Sequence, residues 1–439
     1  MTTTIVKAAD AAQFLSFVPR LLGYHPAQSL VVIPFRGSRS LGAMRFDLPR
    51  DAGAVERVAS TVTGMVCRLP DADAFAAVVY CDDAFVQGDG MPHRRLADEL
   101  RRRADACGLR VSDVLCVASD AWGSFLDPGS PALGRSLSDL GAVFDELAGL
   151  PEPDGDQASG ADLPLTDIAE RERVGRALGA LGEAVALLCG DGAPADAPVA
   201  ADAPVAAGAP DGRPAHHGDR PIHHCDRPTA STAGTTSADL APAPPPVAGD
   251  EGAEASAAPA PRVDPLALAT VCRLDDLPSL FEGALEWDPD ALDAFDAAAL
   301  AWCLSRPSLR DIALVQWSGT LVQGDEAFDA QLRWEAGEEY PSHLAMRMWG
   351  EGDRPDPERL AVALRLVRRV AAVAPRASRP GPLAMCAWLS WALGRSTHAD
   401  VYASQACEIE PEHGLSEIVL SFVRAGHLPD WAFRRGGAG

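Results

Sequence analysis

The richest group of soft metal ligands in the chain is His216, His217, His223, His224 and Cys225. Imidazole and thiolate suit zinc, copper or nickel. The group sits in a duplicated segment, however: His216 to Pro221 (HHGDRP) returns as His223 to Pro228 (HHCDRP), with no strand or helix pattern to hold ligands in place. The expectation is adventitious binding only, and no physiological metal or cofactor. Nucleophilic chemistry would be marked by a Gly-x-Ser-x-Gly elbow, a Cys/His pair in a plausible context, or a serine in a tight strand-to-helix turn. None is evident. Gly37-Ser38 and Gly129-Ser130 read as turns, and no glycine-rich phosphate loop follows a strand. The polar residues in costly places are His25 in a Gly-Tyr-His-Pro turn, Ser29 just after it, Arg45 and Asp47 near the end of an apolar run, Asp82 and Asp83 after another, and Asp120 with Trp122. Strand C-termini are where α/β folds present ligand groups, so His25, Ser29, Arg45, Asp47, Asp82, Asp120 and Trp122 form the candidate ligand site. The competing use is structural, with Arg45 paired to an acid and the aspartates capping helices or fixing turns.

Composition bounds the chemistry further. A net charge of −24 repels the phosphate backbone that supplies most nucleic-acid affinity, so no nucleic-acid partner is expected. Arg94, Arg95 and Arg101 to Arg103 are interleaved with acids and read as a solvated helix face. The ten cysteines are never two or three residues apart, which excludes zinc-knuckle spacing. Most, such as Cys81 and Cys116, lie in apolar runs where a reduced thiol acts as a small buried hydrophobe, pointing to a reducing compartment. The N-terminus lacks a signal-peptide apolar region and no segment approaches the ~20 apolar residues of a membrane span, so the expected location is cytoplasmic, with no membrane.

The elements that would position these residues follow from periodicity. Residues 10–22 have helical spacing and end at Gly23. Two apolar runs, 29–35 and 41–48, joined by a five-residue loop, read as a hairpin. Then 53–68 (helix), 74–81 (buried strand), 91–107 (helix) and 110–118 (strand) alternate, predicting a mixed sheet with flanking helices, closed by helices at 137–150 and 163–189. Residues 190–261 are dominated by Ala, Pro, Gly and Asp and repeat ADAPVA in tandem, so they cannot bury enough apolar surface to offset ordering and are expected to be disordered. Residues 262–435 read as helices throughout. Leu383, Ala387, Gly394, Ala399, Ala403, Ala406 and Pro411 fall at tetratricopeptide-like offsets, but one copy cannot build a solenoid, so a helical hairpin within a bundle is expected. The domains are thus 1–189 (α/β), 190–261 (linker) and 262–435 (all-α). Replacing 191–259 by a short Gly/Ser spacer should leave the melting temperature within a few degrees, because loop closure costs only ~0.6 kcal/mol per doubling of length.

Three segments carry a family resemblance: Phe17-Val-Pro-Arg-Leu-Leu-Gly-Tyr-His-Pro-Ala-Gln-Ser-Leu-Val-Val, Met44-Arg-Phe-Asp-Leu-Pro and Leu309-Arg-Asp-Ile-Ala-Leu. Together they resemble the actinobacterial domain-of-unknown-function 4192 family, whose opening motif is met at Val18, Pro19, Leu21, Leu22, Gly23, Pro26, Ser29, Leu30 and Val31. The resemblance implies an α/β head and a helical tail and lends no catalytic residue. Family members often carry a Cys-Cys-Pro turn after a Trp-rich segment, whereas Ala121 to Pro131 here lacks cysteines, so no role for that turn carries over. With no catalytic constellation evident, the leading expectation is a non-enzymatic, cytoplasmic interaction or regulatory protein with a protein partner held by 262–435. The alternative is an enzyme or small-ligand binder at the C-terminal edge of the N-terminal sheet.

Overall fold

The computed structural model describes residues 8–85, 90–141, 152–189 and 263–434. The expected linker 190–261, its histidine cluster and most of the expected helix 137–150 lie outside the described residues. The first helix, α1 (Ala11–Leu22), begins where the Asp10 side chain accepts from the Gln13 N–H and ends at Gly23 in the left-handed region, φ +81°. It is followed by β1 (Ser29–Arg36), β2 (Arg39–Ser40), β3 (Met44–Asp47), α2 (Ala52–Arg68), β4 (Ala74–Tyr80), α3 (Arg94–Ala106), β5 (Arg110–Val117) and β6 (Trp122–Ser124). The strands form one mixed sheet in the order β2-β1-β4-β5-β6, with β3 also paired to β1. Only β4 and β5 are parallel, joined through α3.

The expected five-residue hairpin loop is in fact tighter. Gly37, at φ +61°, lets the chain turn within two residues, so Arg39 pairs back on Arg36 as β2 before the same edge resumes as β3. Strand β6 had no expectation at all: three residues, one of them Gly123, are too short to show a period, and pairing with Leu115 to Val117 makes the strand. The central strand β4 is buried along its whole length because both faces are covered. Leu30, Val32, Phe75, Ala77, Val79 and Cys116 pack with Val62, Val66, Leu96 and Leu100 of α2 and α3. On the opposite face Val31, Ile33, Val78, Tyr80, Leu115 and Trp122 pack with Leu15 and Val18 of α1.

The remaining chain is helical: α4 (Ile168–Cys189), α5 (Pro265–Leu274), α6 (Leu277–Ala284), α7 (Ala294–Leu304), α8 (Pro307–Ser318), α9 (Leu321–Glu335), α10 (Ser342–Ala345), α11 (Pro357–Val373), α12 (Pro380–Ala392), α13 (Ser396–Cys407) and α14 (Gly414–Ala425). Within the stretch read as helical throughout, α6 and α9 show how the separate helices are set off. Each starts on a local cap, Asp276 onto the Ser279 N–H and a Thr320–Gln323 capping box, but α9 has a polar, glycine-containing sequence with little apolar stripe. Helix α4 packs here, with Leu181 and Ala184 against Ala267 and Val271, and Val174 against Ala297 and Val373. The described residues up to Val185 and from Val263 onward form one compact unit.

Helix α12 is its centre, buried at every position including Trp388 and Trp391. It can lie there because Gly381 has no side chain: a Cβ at that position would stand 2.1 Å from the Leu304 carbonyl oxygen. Gly381→Ala must push α12 off the end of α7, and we expect a loss of about 1–3 kcal/mol by chemical denaturation, the usual cost of overpacking. A neutral result would mean that α12 shifts freely.

Candidate functional site

The parallel pair β4–β5 points its C-terminal ends at one edge of the sheet, and there the chain places two thiols, an imidazole and a carboxylate. Cys81 directly follows β4 and continues its ladder, its N–H donating to the Val117 carbonyl at 3.0 Å. Cys116 lies on β5 opposite Val79, two residues before Cys81 and on the same face, so the thiols are diagonal neighbours. The turn after β4 is pinned to the turn after β5. The Asp83 carbonyl accepts from the Ser119 N–H at 3.0 Å and from its hydroxyl at 3.2 Å, and the Asp120 carboxylate accepts from the Phe85 N–H at 3.0 Å. His93 arrives from the other direction as the residue capping α3, held at φ +60°, ψ 24°. That left-handed conformation is uncommon for a side-chain-bearing residue, and it sets the imidazole over the strand end.

The groups are graded in depth. Cys116 is fully buried and Cys81 is 7 % exposed, while the side chains of His93 and Asp83 are 20 % and 70 % exposed. His93 Nε2 stands 3.3 Å from the Asp83 carboxylate. The Cys81 thiol is pulled down to about 5, first by a hydrogen bond from Cys116, then, against the opposing effect of burial, by the hydrogen bond and charge of His93 and by the Asp83 backbone N–H. His93 is pushed up by its bond to Cys81 and, against burial, by the charges of Cys81 and Asp83. Cys116 is held well above the ordinary thiol range by the same bond to Cys81 and by burial. The arrangement therefore favours a thiolate at Cys81 beside an imidazolium at His93, with the proton retained on Cys116. That is the electrostatic setting of a reactive cysteine, and the N-terminus of α3, which no side chain caps, adds positive potential on the same side. One ligand atom from each of Cys81, Asp83 and His93 also lies within 4.8 Å of the others, so the three could share a soft divalent cation.

The residues singled out from sequence lie along the same edge but do not converge. Ser29, buried, donates to the Ala27 carbonyl at 2.7 Å and accepts from Arg45 Nε at 2.8 Å. Arg45 also bonds Asp47 and reaches Thr397 of α13 at 2.9 Å, a tie between the sheet and the helices on the face opposite Cys81. Asp82 accepts from Gln28 at 2.6 Å, and Asp120 holds the Phe85 N–H. Trp122 packs under α1 and donates to the Ser136 carbonyl at 3.0 Å, and His25 is an exposed turn residue whose N–H bonds Gly155. The arginine-rich helix is matched by acids, Arg102 and Arg103 to Glu99 and Arg95 to Glu56.

Cys81 and His93, which no spacing in the sequence marks as a pair, are brought to one strand end by the fold. Twelve positions separate Cys81 from His93, and the expected start of α3 at 91 placed His93 inside a helix rather than at its cap. The usable signal was a cysteine closing a buried-strand run followed by a histidine opening the next helix.

No curated protein and no solved structure matches the chain. The sequence model of one family, described only as a domain of unknown function, matches residues 12–430. The chain is a member of that family, DUF4192, over nearly its whole length.

Proposed function

We propose that the protein is an enzyme working through a nucleophilic Cys81 thiolate at the C-terminal edge of the β4–β5 pair. The observation that supports this is the contact series Cys81, His93, Asp83, drawn from the two ends of the β4–α3 connection to one strand end. Cys81 attacks a small electrophile, His93 as imidazolium protonates the leaving group, and Asp83 stabilises the charged ring. An interaction-only role was favoured for want of such a constellation, so its ground is weakened. We also place the protein in the cytoplasm. The eight cysteines whose side chains are described are free thiols, and among the described residues no helix is long and apolar enough to cross a membrane.

The test is site-resolved alkylation of the folded, full-length chain with limiting iodoacetamide, read by peptide mass spectrometry. Cys81 should be labelled ahead of the more exposed Cys67, Cys107 and Cys272. In His93→Gln that preference should drop severalfold. Labelling that simply follows exposure sinks the proposal. So does a stoichiometric metal in the purified chain that shields Cys81 until chelated, because the site is then a metal centre.

A further inference from the structure

We infer that Cys116 is the resolving partner of Cys81 and that the site reduces small hydroperoxides, closing a Cys81–Cys116 disulfide in the process. The inference rests on the nucleophilic reading of Cys81 and names the substrate class and the second catalytic group. Its ground is placement: two reduced thiols, Cys116 on β5 and Cys81 just after β4, on one face as diagonal neighbours, with the His93 imidazole beside the outer one. Cys81 is almost covered, so a small neutral oxidant reaches it where a protein disulfide does not.

The chemistry balances with these groups alone. The Cys81 sulfur attacks the peroxide oxygen, an S–O bond forms as the O–O bond breaks, and the departing alkoxide or hydroxide takes the His93 proton. Sulfur has lost two electrons and the peroxide is reduced to an alcohol or water. Cys116 then attacks the Cys81 sulfur and gives up its proton. The S–S bond forms as the S–O bond breaks, and the hydroxide leaves as water with that proton. Two thiols and one hydroperoxide become one disulfide, one alcohol and one water, and an external dithiol restores the pair.

Diagonal neighbours on adjacent strands are about 7–8 Å apart at Cα, beyond what a disulfide spans without backbone movement. Closure therefore draws Cys81 inward. The movement has to stretch the Cys81 N–H to Val117 bond that continues the ladder past the end of β4. A bond that needs such a movement is easily reduced, as a recycling site requires.

The chain supplies its own control. Cys67 and Cys107 are exposed thiols with no histidine among the groups acting on Cys67, whose thiol burial and the neighbouring Cys107 push up. The reduced, full-length protein is treated with one equivalent of hydrogen peroxide near neutral pH, quenched with an alkylating agent and mapped. The expected result is Cys81–Cys116 disulfide ahead of Cys67–Cys107. Cys116→Ser, which keeps the site's shape, should leave Cys81 as a sulfenic acid trappable by dimedone and should raise its sulfinic acid severalfold. A Cys81 that alkylates readily but gives no bond to Cys116, or the same sulfenic acid yield in wild type and Cys116→Ser, overturns this inference and leaves the nucleophile standing. A Cys81 that resists both reagents removes the nucleophile itself.

Discussion

The rate of Cys81 alkylation should rise with pH through a midpoint near 5, where an ordinary thiol would rise near 8.5. The sign follows from the direction of the shift: below the midpoint the thiol holds its proton and is inert, and above it the thiolate reacts. At pH 6 a thiol with that midpoint is about 90 % ionised against about 0.3 % for an unperturbed one, a ratio of about 300. A less basic thiolate is also a weaker nucleophile. With a Brønsted slope of about 0.4–0.5 over about 3.5 units, that costs a factor of about 25–55. The net expectation is a rate about ten-fold above an unperturbed thiol at pH 6, and a larger margin over Cys67, whose pKa is raised. Cys116→Ala removes the first cause of the shift, so the midpoint should move up. His93→Gln should move it up as well. Stopped-flow alkylation from pH 4 to 9, with Cys81 quantified by mass spectrometry, reads all three. A wild-type midpoint near 8.5 would mean that neither the Cys116 nor the His93 contact with Cys81 persists in solution.

The part of the site legible in the sequence was its edge, and the part hidden was its chemistry. Alternation and apolar runs expose strands because burial has a period, and β4, buried at every residue, gave the clearest signal in the chain. That signal also disguised Cys81, since a cysteine closing an apolar run looks like any small hydrophobe. Asp82, Asp83 and Asp120 stood out because carboxylates are costly near strands, yet their tasks differ through details no pattern carries. Asp82 meets Gln28, Asp120 meets a backbone N–H, and Asp83 meets His93. His93 was the hardest to see. Its position depends on a left-handed φ at a helix cap, and neither its type nor its spacing from Cys81 announces that backbone. Arg45 and Ser29 were picked out together and do bond each other. Their third partner, Thr397, lies 352 positions away, a distance that local pattern cannot bridge.

The largest stability effect should come from the helical region. Trp391 of α12 is fully buried with its ring centroid 4.7 Å from Phe422, 5.9 Å from His427, 6.1 Å from Trp388 and 6.3 Å from Trp431. Its indole N–H donates to the His427 carbonyl at 2.8 Å. Trp391→Ala removes the ring that these groups close around and leaves a cavity too well framed to collapse, at a cost of about 3–5 kcal/mol. It also strands a carbonyl, worth about 1–3 kcal/mol if no water reaches it. Trp391→Phe keeps most of the ring and loses the donor, so it should fall well below the alanine variant. At about 2.1 cal/mol/K of unfolding entropy per residue, a chain of 439 residues loses about 1 °C of melting temperature per kcal/mol, so the alanine variant should melt about 3–8 °C early. The sheet and the helices belong to one compact unit, tied by Arg45 to Thr397 and by Arg68 to Asp430 at 3.0 Å. The exposure of Cys116, a fully buried strand residue, to alkylation should therefore appear at the same lowered temperature as the loss of helical circular dichroism. Cys116 staying protected while the helices melt would mean that the sheet holds its fold without them, and a destabilisation below about 1 kcal/mol would mean that the aromatic cluster does not anchor α12.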